Sequence, residues 1–229
     1  MIPIGDVNPR RFFPLATVGL MVLNVAVFVY QLTLPPEALE AFFRNAGIVP
    51  QRLLEAPDAE GLLTLVTAMF VHGNWGHLLS NMIFLWIFGD NVEDHLGILP
   101  FLVLYLVTGV AASAAQVAVD PASAIPIVGA SGALSGVAGA YLVLFPHARV
   151  RVVVPIILFV RIIEISALAF FAIWFLFQVV QGIGALGVAE GGVAWFAHLG
   201  GFVTGVVAGL LVRGGAILVR QQDYDRGPH

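Results

Sequence analysis

A serine between glycines and a histidine among small residues are the first candidates for chemistry in this sequence. Ser131 lies in the segment GASGALSG, and His198 lies in the segment AHLGGFVTG. A serine hydroxyl becomes a strong nucleophile when a nearby imidazole accepts its proton. Both segments are strongly apolar, and a polar side chain in such surroundings marks a candidate functional site. We therefore predict that Ser131 is a nucleophile and that His198 is its general base.

A second pair of polar residues has the spacing of one helix face. His77 and Asn81 are four residues apart, so their side chains project from the same face about one turn apart. An imidazole N–H and a carboxamide N–H can donate to the oxyanion that develops during acyl transfer, and the backbone N–H of Ser131 is a third candidate donor. No carboxylate accompanies these residues in the sequence, so we predict a Ser/His dyad.

Each polar residue in an apolar segment also has a structural interpretation. A serine in a membrane helix commonly donates to a carbonyl of its own helix, which is our interpretation of Ser80 and Ser135. A lone histidine or asparagine commonly joins neighbouring helices. The coincidence of one serine, two histidines and an asparagine at similar depth in three predicted spans favours catalysis. Glu164 and Gln178 have no such set of polar residues at a similar depth. We interpret Glu164 as an ion-pair or interface residue near Arg161.

The composition indicates an integral membrane protein. Of 229 residues, 59% are hydrophobic and only 10% are charged, and the mean hydropathy is +0.96. We predict an all-α membrane protein in which residues 1–229 form a single domain with six spans, the first of them uncleaved. The predicted spans are residues 15–34, 77–92, 98–119, 129–146, 164–182 and 193–213.

The ten arginines predict the orientation of these spans. Eight of them lie before the first predicted span, between the fourth and fifth, or at the end of the sixth and beyond it. The positive-inside rule then places both termini in the cytoplasm. The remaining two, Arg44 and Arg52, lie in the long segment between the first two spans, where Ala38–Phe43 has the pattern of a short amphipathic helix at the membrane interface.

Small residues recur at every fourth position in two predicted spans. They are Gly201, Gly205 and Gly209 in the sixth span and Gly132, Gly136 and Ala140 in the fourth. Such stripes allow helix backbones to approach closely. We therefore expect the fourth and sixth spans to be in contact, which would bring Ser131 close to His198.

Three motifs in this order resemble the rhomboid intramembrane serine proteases: HGNWGHLLSNM, GASGALSG and AHLGGFVTG. The opening IPIGDVNPRR and the connection GDNVEDHLG are similar to prokaryotic members, so the resemblance covers nearly the whole chain. It implies a six-transmembrane-helix rhomboid bundle with a long membrane-associated loop between helices 1 and 2. It also implies that Ser131 is the nucleophile and His198 the base. The further site residues that it implies are His77 and Asn81 at the oxyanion and His72, Gly129 and Gly132 in support.

The resemblance further implies single-span membrane proteins as substrates, a location in the lipid bilayer of a prokaryotic plasma membrane, and a fifth span that moves to admit substrate. The aromatic residues that could pack there, or that could instead simply face lipid, are Trp86, Phe170, Phe171 and Trp174. Two features depart from the family pattern. The first loop lacks a Trp-Arg pair, and Ser135 stands where some members have an aromatic residue that stacks on the base.

Other functions fit the sequence less well. The chain contains no cysteine, which excludes a thiolate nucleophile and a cysteine-ligated metal. Residues 72–77, HGNWGH, lack the glutamate of a zinc-protease motif, and only Asp90 approaches the position that an aspartyl protease would require. Neither the inverted repeats of a transporter nor a nucleic-acid-binding pattern is present. We predict no metal and no other cofactor, and the alternative is a catalytically inactive rhomboid-like protein that binds transmembrane helices.

Overall fold

Helices make up most of the structure, a computed structural model that describes residues 2–156, 159–186 and 193–225. A 3-10 turn at Ala68–Phe70 and a π-helical segment at Leu85–Gly89 interrupt the α-helical series. The helices are Leu15–Leu32 (α1), Pro36–Ala46 (α2), Pro50–Glu55 (α3), Ala59–Thr67 (α4), Trp75–Phe84 (α5), Asp90–Leu96 (α6), Ile98–Val119 (α7), Ser131–Leu144 (α8), Ala167–Gly184 (α9) and Trp195–Asp225 (α10). The strands are Ile2–Asp6 (β1), Arg149–Ile156 (β2) and Phe159–Ser166 (β3).

Four helices in the described residues are long and apolar enough to cross a membrane. They are α1, α7, α9 and the part of α10 from Trp195 to Gly215. The predicted second span corresponds to the helical run from α5 through the π segment to α6, and the predicted fourth span contains α8, which has only 14 residues. The chain is therefore a helical membrane protein.

A three-stranded antiparallel sheet, in the order β1-β2-β3, was not expected in an all-α protein. Its two longer strands have the sequences RVRVVVPI and FVRIIEIS, in which β-branched residues and an alternating pattern favour extended backbone. Strand β3 continues to Ser166, so α9 begins at Ala167 and not at the predicted residue 164. Glu164 lies on β3 and pairs across the strands with Arg151 at 3.1 Å, whereas the expected neighbour was Arg161.

Helices α8 and α10 lie side by side, and the predicted glycine stripes lie in their contact. A methyl group added at Gly201 would overlap the carbonyl oxygen of Gly132, and one added at Gly205 would overlap that of Gly136. Because these positions lack side chains, the two backbones approach closely enough to touch. The contact holds the first turns of the two helices next to each other.

Helix α6 fixes the beginning of α1. The carboxylate of Glu93 accepts hydrogen bonds from the backbone N–H groups of Ala16 at 2.8 Å and Thr17 at 2.7 Å. The first N–H groups of a helix have no partner within that helix, and a negative charge there is favourable. The connection between the predicted second and third spans therefore anchors the first.

The segment between α1 and α5 is folded. It contains α2, which covers the predicted amphipathic stretch, and then α3, α4 and the 3-10 turn. Ile48 forms an isolated bridge with Ile127, and the backbone N–H of Gly129 donates to the carbonyl of Ala68 at 2.8 Å. These bonds attach the first loop to the chain that leads into α8.

Candidate active site

Ser131 and His198 are brought together by the contact between α8 and α10. Ser131 is the first residue of α8, and His198 is the fourth residue of α10. The Oγ atom of Ser131 lies 2.7 Å from Nε2 of His198, within hydrogen-bond distance. Both residues are half-buried. The hydroxyl can donate its proton to the imidazole, which is the arrangement that an activated serine requires.

Gly129 shapes the backbone just before the nucleophile. Its φ is +121°, in a region that L-residues with side chains rarely adopt. A Cβ atom at this position would lie 2.5 Å from Nε2 of His77 and 3.8 Å from Nδ2 of Asn81. Both predicted oxyanion donors therefore lie against the main chain two residues before Ser131.

Gly132 lies in the contact that its small-residue stripe predicts, and it also faces α7. A Cβ atom there would lie 2.7 Å from the Cβ atom of Ala112 on α7. On the other side, the carbonyl of Gly132 lies against Gly201 of α10. Gly132 thus permits α7 and α10 to pack closely against the start of α8.

Asn81, His72 and His77 form one polar cluster. The amide nitrogen of Asn81 lies 2.9 Å from Nε2 of His72, and because an amide nitrogen can only donate, this ring nitrogen accepts. The rings of His72 and His77 are 5.0 Å apart, and Asn74 accepts a hydrogen bond from the backbone N–H of His77 at 2.9 Å. Asn81 uses one amide N–H on His72 and retains a second.

Gln31 holds His72 from α1, and the motifs do not reveal this contact. The side chain of Gln31 donates to the carbonyl of His72 at 2.8 Å and accepts from its backbone N–H at 3.1 Å. His72 is fully buried, and Gln31 is 3% exposed. The available signal was a glutamine within the predicted first span, where a polar side chain needs a partner.

Gln178, which belongs to none of the motifs in the sequence, contacts the imidazole of His198. Its Oε1 atom lies 2.6 Å from Nδ1 of His198. Trp174, one turn earlier on α9, places its ring 6.1 Å from that of His198 at an interplanar angle of 31°. Trp195 approaches the same imidazole edge-on, with ring centroids 6.2 Å apart. The four-residue spacing of Trp174 and Gln178 was the signal for a shared face.

The other residues singled out from the sequence make contacts that are typical of a structural role. Ser135 donates to the carbonyl of Ser131 at 2.7 Å, and Ser80 donates to that of His77 at 2.9 Å, as their structural interpretation expects. Phe170 and Phe171 are buried in an aromatic cluster with Phe88 and Tyr141. Trp86 follows Asn81 by five residues on the same helical run, and the guanidinium of Arg10 lies 5.0 Å from the centroid of its ring.

Ser131 is one of the residues that line a small cavity. It measures about 20 Å³, enough for about one water molecule. Small side chains form much of its wall, including Ala112, Ser113, Gly132, Ala133 and Ala197. The cavity is therefore narrow and is enclosed largely by small side chains.

The fold and the site together define a helical membrane protein with a hydrogen-bonded serine–histidine pair. The Rhomboid domain family model matches residues 59–215, and the chain belongs to the rhomboid family, which confirms the resemblance.

Relatives with rhomboid names occur in yeast and in a plant. Rhomboid protein 1, mitochondrial, of Saccharomyces cerevisiae is 31% identical over 198 residues, covering 83% of this chain and 51% of the relative. Rhomboid-like protein 11, chloroplastic, of Arabidopsis thaliana is 37% identical over 148 residues, covering 62% of this chain and 49% of the relative. The chain spans about half the length of these curated relatives.

Proposed function

We propose that this protein is an intramembrane serine endopeptidase that hydrolyses peptide bonds in or near transmembrane segments. The observation that carries the proposal is the 2.7 Å contact between Ser131 Oγ and His198 Nε2. Membership of the rhomboid family supports the same activity. The alternative within this family is a catalytically inactive protein that binds transmembrane helices.

The proposed mechanism uses His198 first as a base and then as an acid. As Ser131 Oγ attacks the scissile carbonyl carbon, its proton passes to Nε2 of His198. The developing oxyanion accepts hydrogen bonds from His77, Asn81 and the backbone N–H of Ser131. Nε2 then gives its proton to the leaving amine. A water molecule, deprotonated by the same nitrogen, attacks the acyl-enzyme. As the acyl–Oγ bond breaks, Nε2 returns the proton to Ser131 Oγ and the second product leaves.

We propose that six spans cross the membrane, with the first loop lying partly in the membrane. Four long apolar helices and the shorter helical segments in the predicted second and fourth spans support this number. The arginine distribution favours cytoplasmic termini. The resemblance of IPIGDVNPRR and GDNVEDHLG to prokaryotic members is the basis for proposing a prokaryotic plasma membrane.

The proposed substrates are single-span membrane proteins. A transmembrane helix shields its own peptide bonds, so, by analogy with the family, we expect the cleaved segment to contain residues such as glycine or proline that weaken the helix. The small cavity that Ser131 helps to line supports a small side chain next to the scissile bond.

A single-span reporter in liposomes tests this function. We expect the wild-type protein to cleave the reporter, and Ser131→Ala and His198→Ala to leave it intact while keeping the same thermal unfolding midpoint. A wild-type protein that binds the reporter without cleaving it would favour the inactive helix-binding alternative. Equal cleavage by all three proteins would exclude the dyad.

A further inference from the structure

A serine–histidine pair functions only when the imidazole proton is on the correct nitrogen. A neutral imidazole carries its proton on Nδ1 or on Nε2. Because Nε2 of His198 faces the Ser131 hydroxyl, Nε2 must have a free lone pair in order to accept the serine proton. The proton of the resting imidazole must therefore be on Nδ1, and a group that accepts from Nδ1 would select this tautomer.

Gln178 supplies that acceptor. Its Oε1 atom lies 2.6 Å from Nδ1 of His198, and a carbonyl oxygen can accept a hydrogen bond but cannot donate one. Gln178 is 4% exposed, so water does not readily replace it. We propose that Gln178 is a positioning residue that completes the Ser131–His198 pair by fixing the tautomer and the orientation of the imidazole.

The surrounding helices support a positioning role. Trp174 lies on the same face of α9 and flanks the imidazole, so one helix presents both an aromatic ring and a hydrogen-bond acceptor to His198. From the other side, Oε1 of Gln116 on α7 accepts from the backbone N–H groups of Phe196 at 3.1 Å and Ala197 at 3.2 Å. The start of α10 and its imidazole are thus each held by a neutral amide.

A neutral acceptor suits this environment. Helices α7, α8 and α9 contain no Asp, Glu or Arg, and, among the residues that the structure describes, His77 on α5 is a titratable group that acts on His198 from another element. A carboxylate at position 178 would be an expensive charge inside a membrane protein. An amide orients the imidazole without adding that charge, although it stabilises the imidazolium less than a carboxylate does. This explains how the pair functions without an acidic third member.

The test rests on the proposed function and compares variants of Gln178 in the reporter assay. Gln178→Met retains the length of the side chain and removes the acceptor, so kcat should fall about 10- to 100-fold, with KM changed less than about twofold. Gln178→Glu restores an acceptor and should recover much of kcat. Gln181→Met, at an exposed position on the same helix, should match the wild type.

Nitrogen NMR of the wild-type protein with ¹⁵N-labelled histidine tests the tautomer directly. The His198 signals can be assigned by comparison with His198→Ala. We expect a protonated Nδ1 and an unprotonated Nε2 in the wild type, and a loss of this preference in Gln178→Met. A wild-type His198 protonated on Nε2 would overturn the proposal, whether or not the variants fold.

A failure of the proposed protease function can be distinguished from a failure of the proposed role of Gln178. If the wild-type protein neither cleaves the reporter nor reacts with a fluorophosphonate probe, the proposed protease function is wrong. If it cleaves and Gln178→Met has the same kcat and the same histidine tautomer, the protease function stands and the role of Gln178 is wrong.

Discussion

At the scale of single residues, the site depends on groups that motifs identify and on groups that only the fold brings into place. Ser131 and His198 follow from residue type and local context, and they lie within hydrogen-bond distance. Gln31 and Gln178 could not be assigned in the same way, because an amide in an apolar helix indicates that a partner exists but does not indicate which one. Their partners lie 41 and 20 residues away in the chain.

Gly129 offers a residue-scale prediction. Gly129→Ala should lower reporter cleavage at least about 10-fold, because an alanine is strained at positive φ and its methyl group would displace the His77 ring. Cleavage and the thermal unfolding midpoint should be measured together. Gly73→Ala is the control, because a Cβ atom there has no atom within 4 Å. Equal activity of Gly129→Ala and the wild type would contradict the proposed geometry.

At the scale of elements, repeated small residues predict a contact more reliably than hydropathy predicts a boundary. The glycine stripes of α8 and α10 lie in a backbone contact, as their spacing suggests. The sheet was missed because Arg149–Ser166 combines arginines with β-branched residues, which resembles a basic connection between spans. Pairing with β1 requires a strand about 150 residues away, and a local pattern does not reveal such a partner.

The close contact between α8 and α10 predicts that one methyl group added at Gly205 destabilises the protein. Gly205→Ala should lower the unfolding free energy by about 1–3 kcal/mol, because its Cβ atom would overlap the Gly136 carbonyl. It should also lower cleavage, since the same contact holds Ser131 beside His198. Thermal unfolding in detergent measures the first effect, and Gly19→Ala on α1 is the control because its Cβ atom has open space. Equal midpoints for the two variants would show that the backbones are not in contact.

The small sheet predicts a dependence of stability on pH. Burial raises the pKa of the Asp6 carboxyl at the end of β1, and hydrogen bonds with Tyr141 and Asn91 offset this only in part. The folded protein therefore holds this proton more tightly than the unfolded chain does. The stability that the protonated Asp6 carboxyl contributes is present at low pH and is lost as the pH rises through the folded-state pKa.

Asp6→Asn should remove that contribution. The unfolding free energy of the variant should change less than that of the wild type as the pH rises above the ordinary aspartate pKa. The unfolding free energy of each protein should be measured as a function of pH by denaturant unfolding in micelles. Parallel curves for the wild type and Asp6→Asn would show that the folded environment does not shift the Asp6 proton equilibrium.

At the scale of the whole molecule, composition and family membership establish a helical membrane protein, while the number of crossings depends on two short elements. Helix α8 has 14 residues, fewer than the roughly 20 that usually cross a bilayer. Hydropathy alone therefore does not decide whether it spans. The connections at its two ends, which contain the exposed residues Ala122 and His147, provide the test.

Single-cysteine labelling determines whether α8 crosses the membrane. The chain has no cysteine, so Ala122→Cys and His147→Cys each introduce one thiol. In bacterial spheroplasts, a membrane-impermeant maleimide should label Ala122→Cys from outside and His147→Cys only after permeabilisation. Labelling of both positions from the same side would contradict the six-span topology.

The most direct test of the central claim is a reaction at Ser131 itself. A fluorophosphonate should form a covalent adduct with this hydroxyl, as Oγ bonds to phosphorus, fluoride leaves and the serine proton passes to His198. Mass spectrometry should locate the adduct on the peptide that contains Ser131, and His198→Ala should abolish it. An adduct that is absent from the wild type, lies on another serine, or forms equally fast in His198→Ala would contradict the assignment of Ser131 as an activated nucleophile.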